Sequence, residues 1–286
     1  LNWLWQGDRF HPSADLPSAD RGFRYGMSFF ETVAIRSGCP VLLDAHLALL
    51  RNSLCASRWP IPERALDAVA PLLESATTAN HLARIYVTAG AGGPRDPVTS
   101  PGILLLSEGH TPPNNRDALP DIRLVTLSQY PWPDALPGRK TGNYWPSIQS
   151  LSDAIARGAD EAIRCDGGGE VISASMANVF AVIAGAVITP PAWRKTDGTG
   201  GPSKTRPGVT RAWALDRAKA LGLPIVERVL HSSELAEAAE IFLTNSRIGI
   251  LPARQLDGRT LPKSDLGQQL ARIFDAEFPW IRRPPS

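Results

Sequence analysis

The chain has 286 residues, of which 43% are hydrophobic and 20% charged. That is enough to bury a full core in one large or two modest domains, and too apolar for a disordered chain. Thirty Lys and Arg against 28 Asp and Glu leave a formal charge of +2, so there is no single-signed field to attract nucleic acid or an anionic membrane.

At the start, Leu1-Asn2-Trp3-Leu4-Trp5 shows no basic region leading into an apolar run, and no stretch reaches the length of a membrane-spanning helix. A cytoplasmic protein that engages neither membrane nor nucleic acid is expected. Residues 29–35 are aromatic and β-branched, Ser37-Gly38 supplies a turn, and Val41-Leu42-Leu43 is a second apolar run, which predicts a β-hairpin. Asp44 then reads as the N-cap of a helix, because Leu43, Leu47, Leu50 and Leu54 recur at spacings of four, three and four. Residues 82–88 and 103–106 predict two more strands. The polar, proline-bearing stretch 107–120 suits neither a strand nor a helix, and predicts a linker between an N-terminal domain, 1–106, and a C-terminal domain, 121–286.

Beyond the linker, Ile148, Leu151 and Ile155 mark a helix ending near Gly158. Residues 161–165 and 171–183 read as strands around the Gly167-Gly168-Gly169 turn. A glycine-rich basic loop spans 192–207, followed by a helix at 210–221, a strand at 225–230, a helix at 234–239 and a strand at 241–244. Strands and helices alternate in both halves without a repeat, an α/β or α+β pattern. Cys39, Cys55 and Cys165 stand far apart without a CxxC pair, so they read as packed thiols, and the five dispersed histidines suggest no metal.

Four segments carry more specific information. In order they are Asp20-Arg21-Gly22-Phe23-Arg24-Tyr25-Gly26 running into Phe30-Glu31-Thr32; Lys140-Thr141-Gly142-Asn143-Tyr144; Gly208-Val209-Thr210-Arg211; and Thr244-Asn245-Ser246 with Gly249-Ile250 and Pro252. Together with residues 156–166, Val171 and Ala177-Asn178-Val179-Phe180, this series resembles the class IV aminotransferases. These are fold-type IV pyridoxal-phosphate enzymes that include branched-chain and D-amino-acid aminotransferases and aminodeoxychorismate lyase. The resemblance covers nearly the whole chain. It implies a small N-terminal α/β domain, a larger C-terminal domain with a β-barrel-like core, an active site in the cleft between them, and a homodimer.

The resemblance places the Schiff-base lysine at Lys140, one of only five lysines. It places the phosphate contacts at Val209, Thr210, Asn245 and Ser246 and a cofactor-ring contact at Ser173. Phe30, Tyr144 and Arg95 are the substrate-side candidates, for a small anionic substrate. A helix N-terminus suits a phosphate because its first N–H groups have no partner within the helix.

Two positions depart from the family pattern. Where the family has an arginine for the phosphate in H-x-x-R-L, this chain has Leu49, in His46-Leu47-Ala48-Leu49-Leu50. Arg51 lies about 200° around the helix from Leu49, so it should face elsewhere. A charge-assisted phosphate contact contributes about 1.5–3 kcal/mol, or about ten- to a hundredfold in affinity. Where the family has a glutamate for the ring nitrogen, this chain has Ser173, in Val171-Ile172-Ser173, and Glu170 falls on the opposite strand face. One way to restore positive charge is the 192–207 loop, with Arg194, Lys195, Lys204 and Arg206.

Three functions are compatible with this pattern. The first is a pyridoxal-phosphate enzyme, either aminodeoxychorismate lyase-like or an aminotransferase of a small amino acid. Arg95-Asp96-Pro97 lacks the histidine of the R-x-H trap of D-amino-acid enzymes, which disfavours that branch. The second is a cofactor-free enzyme on the same fold, using Lys140, Ser173 and Tyr144. The third is a non-catalytic binding protein.

Overall fold

The computed structural model describes residues 2–12, 15–76, 79–111, 122–128, 136, 138–192, 204–262 and 265–280. In chain order its elements are β1 (Asn2–Gln6), β2 (Arg9–Pro12), α1 (Arg21–Tyr25), β3 (Ser28–Arg36), β4 (Cys39–Pro40), α2 (Leu43–Ala56), α3 (Glu63–Asp67), α4 (Val69–Ala76), β5 (His81–Thr88) and β6 (Gly102–Gly109). They continue with β7 (Ile122–Leu127), α5 (Trp145–Ala156), β8 (Glu161–Cys165), β9 (Val171–Ala174), β10 (Asn178–Ile183), β11 (Ala186–Thr189), α6 (Val209–Ala220) and β12 (Ile225–Glu227). A 3-10 helix (Ser232–Glu237), β13 (Glu240–Asn245), β14 (Gly249–Leu256), β15 (Arg259–Thr260) and α7 (Asp265–Glu277) complete the chain. Among the described residues no helix is long and apolar enough to cross a membrane.

The chain forms two compact units. The first comprises Leu1–Asn114, Arg139–Asn143 and Phe278–Ser286. Its sheet runs β2-β1-β6-β5-β3-β4, with every neighbouring pair antiparallel. The register puts Phe29, Glu31, Val33 and Ile35 on one face with Ala83, Ile85 and Val87 and with Ile103 and Leu105. All of these side chains are buried. Helix α2 packs on β3 at this face, with Leu47, Leu50 and Leu54 buried. The opposite face carries Phe30, Thr32, Arg84, Tyr86 and Leu104, of which Thr32, Arg84, Tyr86 and Leu104 are half-buried.

The hairpin after β3 differs from its expected form. Its second strand is Cys39–Pro40, not Val41 onward. Leu42 takes φ 52° and ψ 37° and turns the chain directly into α2 at Leu43, so Asp44 lies in the first turn of the helix and does not cap it. Val41 and Leu43 are apolar because they are buried at the helix entry, which in sequence looks the same as a short strand. Strand β6 runs through Ser107, Glu108 and Gly109, so three residues expected as linker pair with β5. Residues 112–120 of that linker lie outside the described residues.

The second unit comprises Asn115–Gly138 and Tyr144–Glu277. Its sheet runs β12-β11-β10-β13-β14-β7-β8-β9, with β15 on β14. The β11–β12, β14–β7 and β7–β8 pairs are parallel. At the far end of this order β9 comes back against β10 through a turn closed by Ala174 N donating to the Ala177 carbonyl at 2.8 Å. The sheet thus curls around Ile163, Val171, Val179, Ala181, Ile241 and Leu243, all buried. That turn also divides the expected strand 171–183 into two. Helix α5 packs on β7 and β8, α6 packs on β13, and α7 packs on β13 and β14. The segment expected as a helix at 234–239 is the 3-10 helix, with Glu234 Oε2 accepting from His231 N at 2.9 Å and Arg228 Nη2 2.6 Å from Glu234 Oε1. These contacts hold the Glu234 carboxyl at about 2, with the Arg228 hydrogen bond as the main cause.

The expected packed thiols are corrected in part, since Cys39 and Cys55 are exposed and only Cys165 is buried. Burial pushes the Cys165 thiol up to about 11, so at pH 8 only about one in a thousand is thiolate. Iodoacetamide on the native protein should alkylate Cys39 and Cys55 and leave Cys165 intact, and peptide mass mapping reads this out. In the first unit, the Arg36 guanidinium is 3.9 Å from the Trp280 ring centroid and Nη1 donates to the Phe278 carbonyl at 2.8 Å. Trp280→Leu keeps apolar bulk and removes the cation–π contact, so it should lower stability in urea unfolding by about 1–2 kcal/mol.

Candidate active site

Lys140 belongs to a short segment that pairs with the N-terminal part of β3, which β4 leaves unpaired. Phe30 N donates to the Lys140 carbonyl at 3.0 Å, Gly142 N donates to the Ser28 carbonyl at 2.9 Å, and Phe29 bridges Thr141. The domain expected from residue 121 onward contains Lys140, yet this pairing groups Arg139–Asn143 with the first unit. The lysine side chain lies on the β3 face opposite α2. Its Nζ donates to Thr32 Oγ1 at 2.8 Å and stands 4.4 Å from the Phe30 ring centroid. Phe30 in turn stacks on Tyr86, with centroids 4.9 Å apart. Burial raises the Tyr86 phenol, and Arg84 partly offsets this.

The segment fits closely against two glycines. A Cβ on Gly142 would lie 2.3 Å from Ser28 Oγ and 3.1 Å from the Gly26 carbonyl oxygen, and one on Gly26, at φ +66°, would lie 2.1 Å from Asn143 Oδ1. On the other face of β3, Glu31 Oε2 and His46 Nδ1 are 2.9 Å apart and both 3% exposed, which ties α2 to the strand.

In the second unit, three candidate segments meet at one end of the sheet. Asn178, the first residue of β10, donates through Nδ2 to the Arg206 carbonyl at 2.9 Å, just before α6. Gly208 is the N-cap of α6 and brings no side chain to the first turn; a Cβ there would meet Asn178 Oδ1 at 2.2 Å. Val209 and Thr210 open the helix and are buried. Asn245, ending β13, donates to the Met176 carbonyl at 3.4 Å and accepts from Ile248 N at 3.0 Å, so the turn bearing Ser246 is held against the β9–β10 turn. Glu161 Oε1 accepts from Ser175 N at 3.0 Å and fixes the same turn; its carboxyl is raised mainly by burial.

Ser173, on β9, is 8% exposed. It pairs in register with Arg164, whose Nη2 donates to Ser173 Oγ at 2.8 Å, while the hydroxyl donates to the Ala174 carbonyl at 2.7 Å. Arg164, Thr32 and Asn178 were not singled out as site residues in the sequence. Arg164 meets Ser173 through a register shift between Arg164 and Cys165 that counting outward from the Gly167-Gly168-Gly169 turn does not give, and the Lys140–Thr32 contact spans 108 residues and leaves no local signal.

The other candidates lie elsewhere. Arg95 is exposed on the loop whose Gly90 and Asp96 carbonyls accept from buried Arg21 at 3.3 and 2.6 Å. Tyr144 is half-buried at the N-cap of α5, its carbonyl accepting from Ser147 N at 3.1 Å and Ile148 N at 3.2 Å. Leu49 is half-buried on α2, and Arg51 is ion-paired with Glu63 at 2.8 Å and Asp67 at 2.9 Å. Of the basic loop, Lys204 pairs with Asp166 at 2.6 Å, whereas Arg194 and Lys195 lie outside the described residues.

This combination of motifs has a match at the family level. The profile described as Amino-transferase class IV matches residues 28–256. The chain belongs to the class IV aminotransferase family. A Methanocaldococcus jannaschii protein, provisionally named a branched-chain-amino-acid aminotransferase, is 29% identical over 272 residues, covering 92% of this chain and 90% of its own length. Among solved structures, 4-amino-4-deoxychorismate lyase from Pseudomonas aeruginosa superposes with a TM-score of 0.80 at 28% identity, covering 99% of this chain and 100% of that one. The branched-chain amino acid aminotransferase of Escherichia coli shares the fold, with a TM-score of 0.82 at 23% identity, covering 99% of this chain and 96% of that one. The mixed α/β architecture with two curled sheets matches these class IV, fold-type IV structures.

Because Gly142 seats the lysine segment on β3, Gly142→Ala should lower stability by about 1–3 kcal/mol, read as a reduced urea midpoint.

Proposed function

We propose that this protein is a pyridoxal-phosphate-dependent enzyme acting on a small, anionic amino-group-bearing substrate through Lys140. The observation that carries this reading is the Lys140 amine, held at 2.8 Å by Thr32 Oγ1 on the β3 face opposite α2. The residues present fit the cofactor's phosphate. The first turn of the 12-residue helix α6 receives no side-chain cap, and the space at Gly208 is one a Cβ would fill. Such a helix end offers oriented N–H donors and a favourable dipole to an anion. Val209 and Thr210 are the proposed phosphate contacts at that end, with Asn245 and Ser246 as the second contacting turn. Ser173 is the proposed partner of the ring nitrogen.

When bound, pyridoxal phosphate supplies an aldehyde that joins covalently to a lysine amine, and a ring that withdraws electrons from the substrate Cα. The protein's own residues do the rest. Thr32 orients Lys140 Nζ, and the flat Phe30 ring beside it limits where the amine can swing. With its amine free, Lys140 Nζ would move the proton at the substrate Cα as general base and acid. Phe30 and Tyr144 are the proposed substrate-side residues; Arg95, exposed on its loop, is the weakest of the three.

Within this chemistry we favour an aminodeoxychorismate lyase-like reaction. Support comes from the end-to-end superposition on the Pseudomonas aeruginosa lyase and from a serine where the family's ring carboxylate stands, which suits a weaker electron sink. A branched-chain aminotransferase is the second reading, favoured by the Methanocaldococcus jannaschii relative. The resemblance also implies a homodimer, for which the check is a solution mass of twice 30.8 kDa.

The test is turnover of the cofactor-loaded protein on two substrates, with Lys140→Ala in parallel. Pyruvate release from aminodeoxychorismate supports the lyase, and amino transfer from leucine to a 2-oxo acid supports the second reading. Neither reaction, or activity undiminished in Lys140→Ala, would reject the proposal. Thr210→Ala should lower cofactor affinity about tenfold in equilibrium titration, the loss of one phosphate hydrogen bond.

A further inference from the structure

This inference rests on the reading above, in which Ser173 meets the ring nitrogen of pyridoxal phosphate. We propose that Arg164 is a positioning residue that keeps that nitrogen unprotonated, by turning Ser173 into a hydrogen-bond donor and by fixing a positive charge beside it.

The observation is the cross-strand pair itself. Arg164 on β8 and Ser173 on β9 are register partners, and the guanidinium donates to the hydroxyl oxygen at 2.8 Å. The guanidinium stays charged at any working pH. A hydroxyl that accepts from a cation is a poorer acceptor and a better donor toward its next partner, because hydrogen bonds in series polarise one another. The proton that Ser173 gives to the Ala174 carbonyl is the one it can offer to a neutral nitrogen. A pyridinium N–H would instead bring a second positive charge next to the guanidinium, and like charges at such range depress a cation's pKa by about 1–3 units.

The other charged groups on the surrounding elements do not reverse this. Lys204 and Asp166 at the β8–β9 hairpin neutralise each other at 2.6 Å. Glu161 on β8 is directed to Ala162 N and Ser175 N, and burial favours its neutral form. Glu170 stands next to the hairpin turn, where its backbone forms an isolated β-bridge with His231. Arg206, in the segment whose Thr205 hydroxyl donates to the Ile172 carbonyl at 2.7 Å, has the same sign as Arg164. An unprotonated ring withdraws fewer electrons, so the pair selects substrates whose product is strongly stabilised in its own right.

The test uses the whole protein loaded with pyridoxal 5′-phosphate carrying 15N in the ring, and reads the 15N chemical shift against pH. The wild type should report an unprotonated nitrogen throughout the neutral range. Arg164→Gln, which keeps a donor but removes the charge, should raise the titration of the nitrogen by about 1–3 units, and Arg164→Lys should restore it. Ser173→Glu should protonate the nitrogen outright, and provides a readout if Arg164→Gln fails to fold. A protonated nitrogen in the wild type, or a titration unmoved in Arg164→Gln, overturns the inference while leaving the Lys140 reading intact. No covalent attachment of the labelled cofactor to Lys140 overturns both.

Discussion

Backbone pairing between residues 139–143 and the N-terminal part of β3 is the constraint from which the proposed chemistry follows. Two hydrogen bonds, Phe30 N to the Lys140 carbonyl and Gly142 N to the Ser28 carbonyl, fix the register. Side chains alternate across a strand, and the Lys140 ammonium accordingly meets Thr32 and Phe30, on the face that α2 leaves uncovered. A slip of one residue would turn it away. Gly26 and Gly142 guard that register sterically, and the buried Glu31–His46 contact holds the same strand from behind. Helix α2 and the Lys140 segment are therefore both anchored on β3, which is how a flexible side chain acquires a defined position.

The second unit follows a related logic with backbone donors. Asn178 and Glu161 spend their polar groups on a carbonyl and an N–H group of neighbouring turns and so fix the loops, and Asn245 holds its own turn through the Met176 carbonyl and Ile248 N. This leaves the first turn of α6 uncapped by any side chain. A helix end left in that condition is stabilised by an anion. Charge nearby is balanced locally, as in the Lys204–Asp166 pair, and Arg51 is committed to α3. Backbone donors and hydroxyls, more than a dedicated arginine, are what the described residues offer a phosphate.

Much of the fold class was legible because ordered motifs constrain more than any single pattern does. Strands 29–35 and 82–88 and the helix bearing Leu47, Leu50 and Leu54 were readable from periodicity, since each buries one face. Legibility ended where apolar residues served a different geometry. Val41 and Leu43 are apolar because they enter a helix through left-handed Leu42, not because they extend a strand. Strand β14 carries Pro252 and a register shift near Ala253, both of which obscure alternation, and Cys39 and Cys55 lie exposed in spite of their apolar character. In the candidate site, Lys140 was legible through its motif. Thr32 became a partner only through pairing 108 residues away, and Arg164 only through a hairpin register that a bulge next to Cys165 interrupts.

The most direct test of the central claim is to locate the covalent attachment point of the cofactor. The protein is saturated with pyridoxal phosphate, reduced with borohydride, digested and mapped by mass spectrometry across its five lysines, Lys140, Lys195, Lys204, Lys219 and Lys263. The account predicts a phosphopyridoxyl group on Lys140 alone, lost in Lys140→Ala. Modification spread over the other lysines, or none at saturating cofactor, would contradict it.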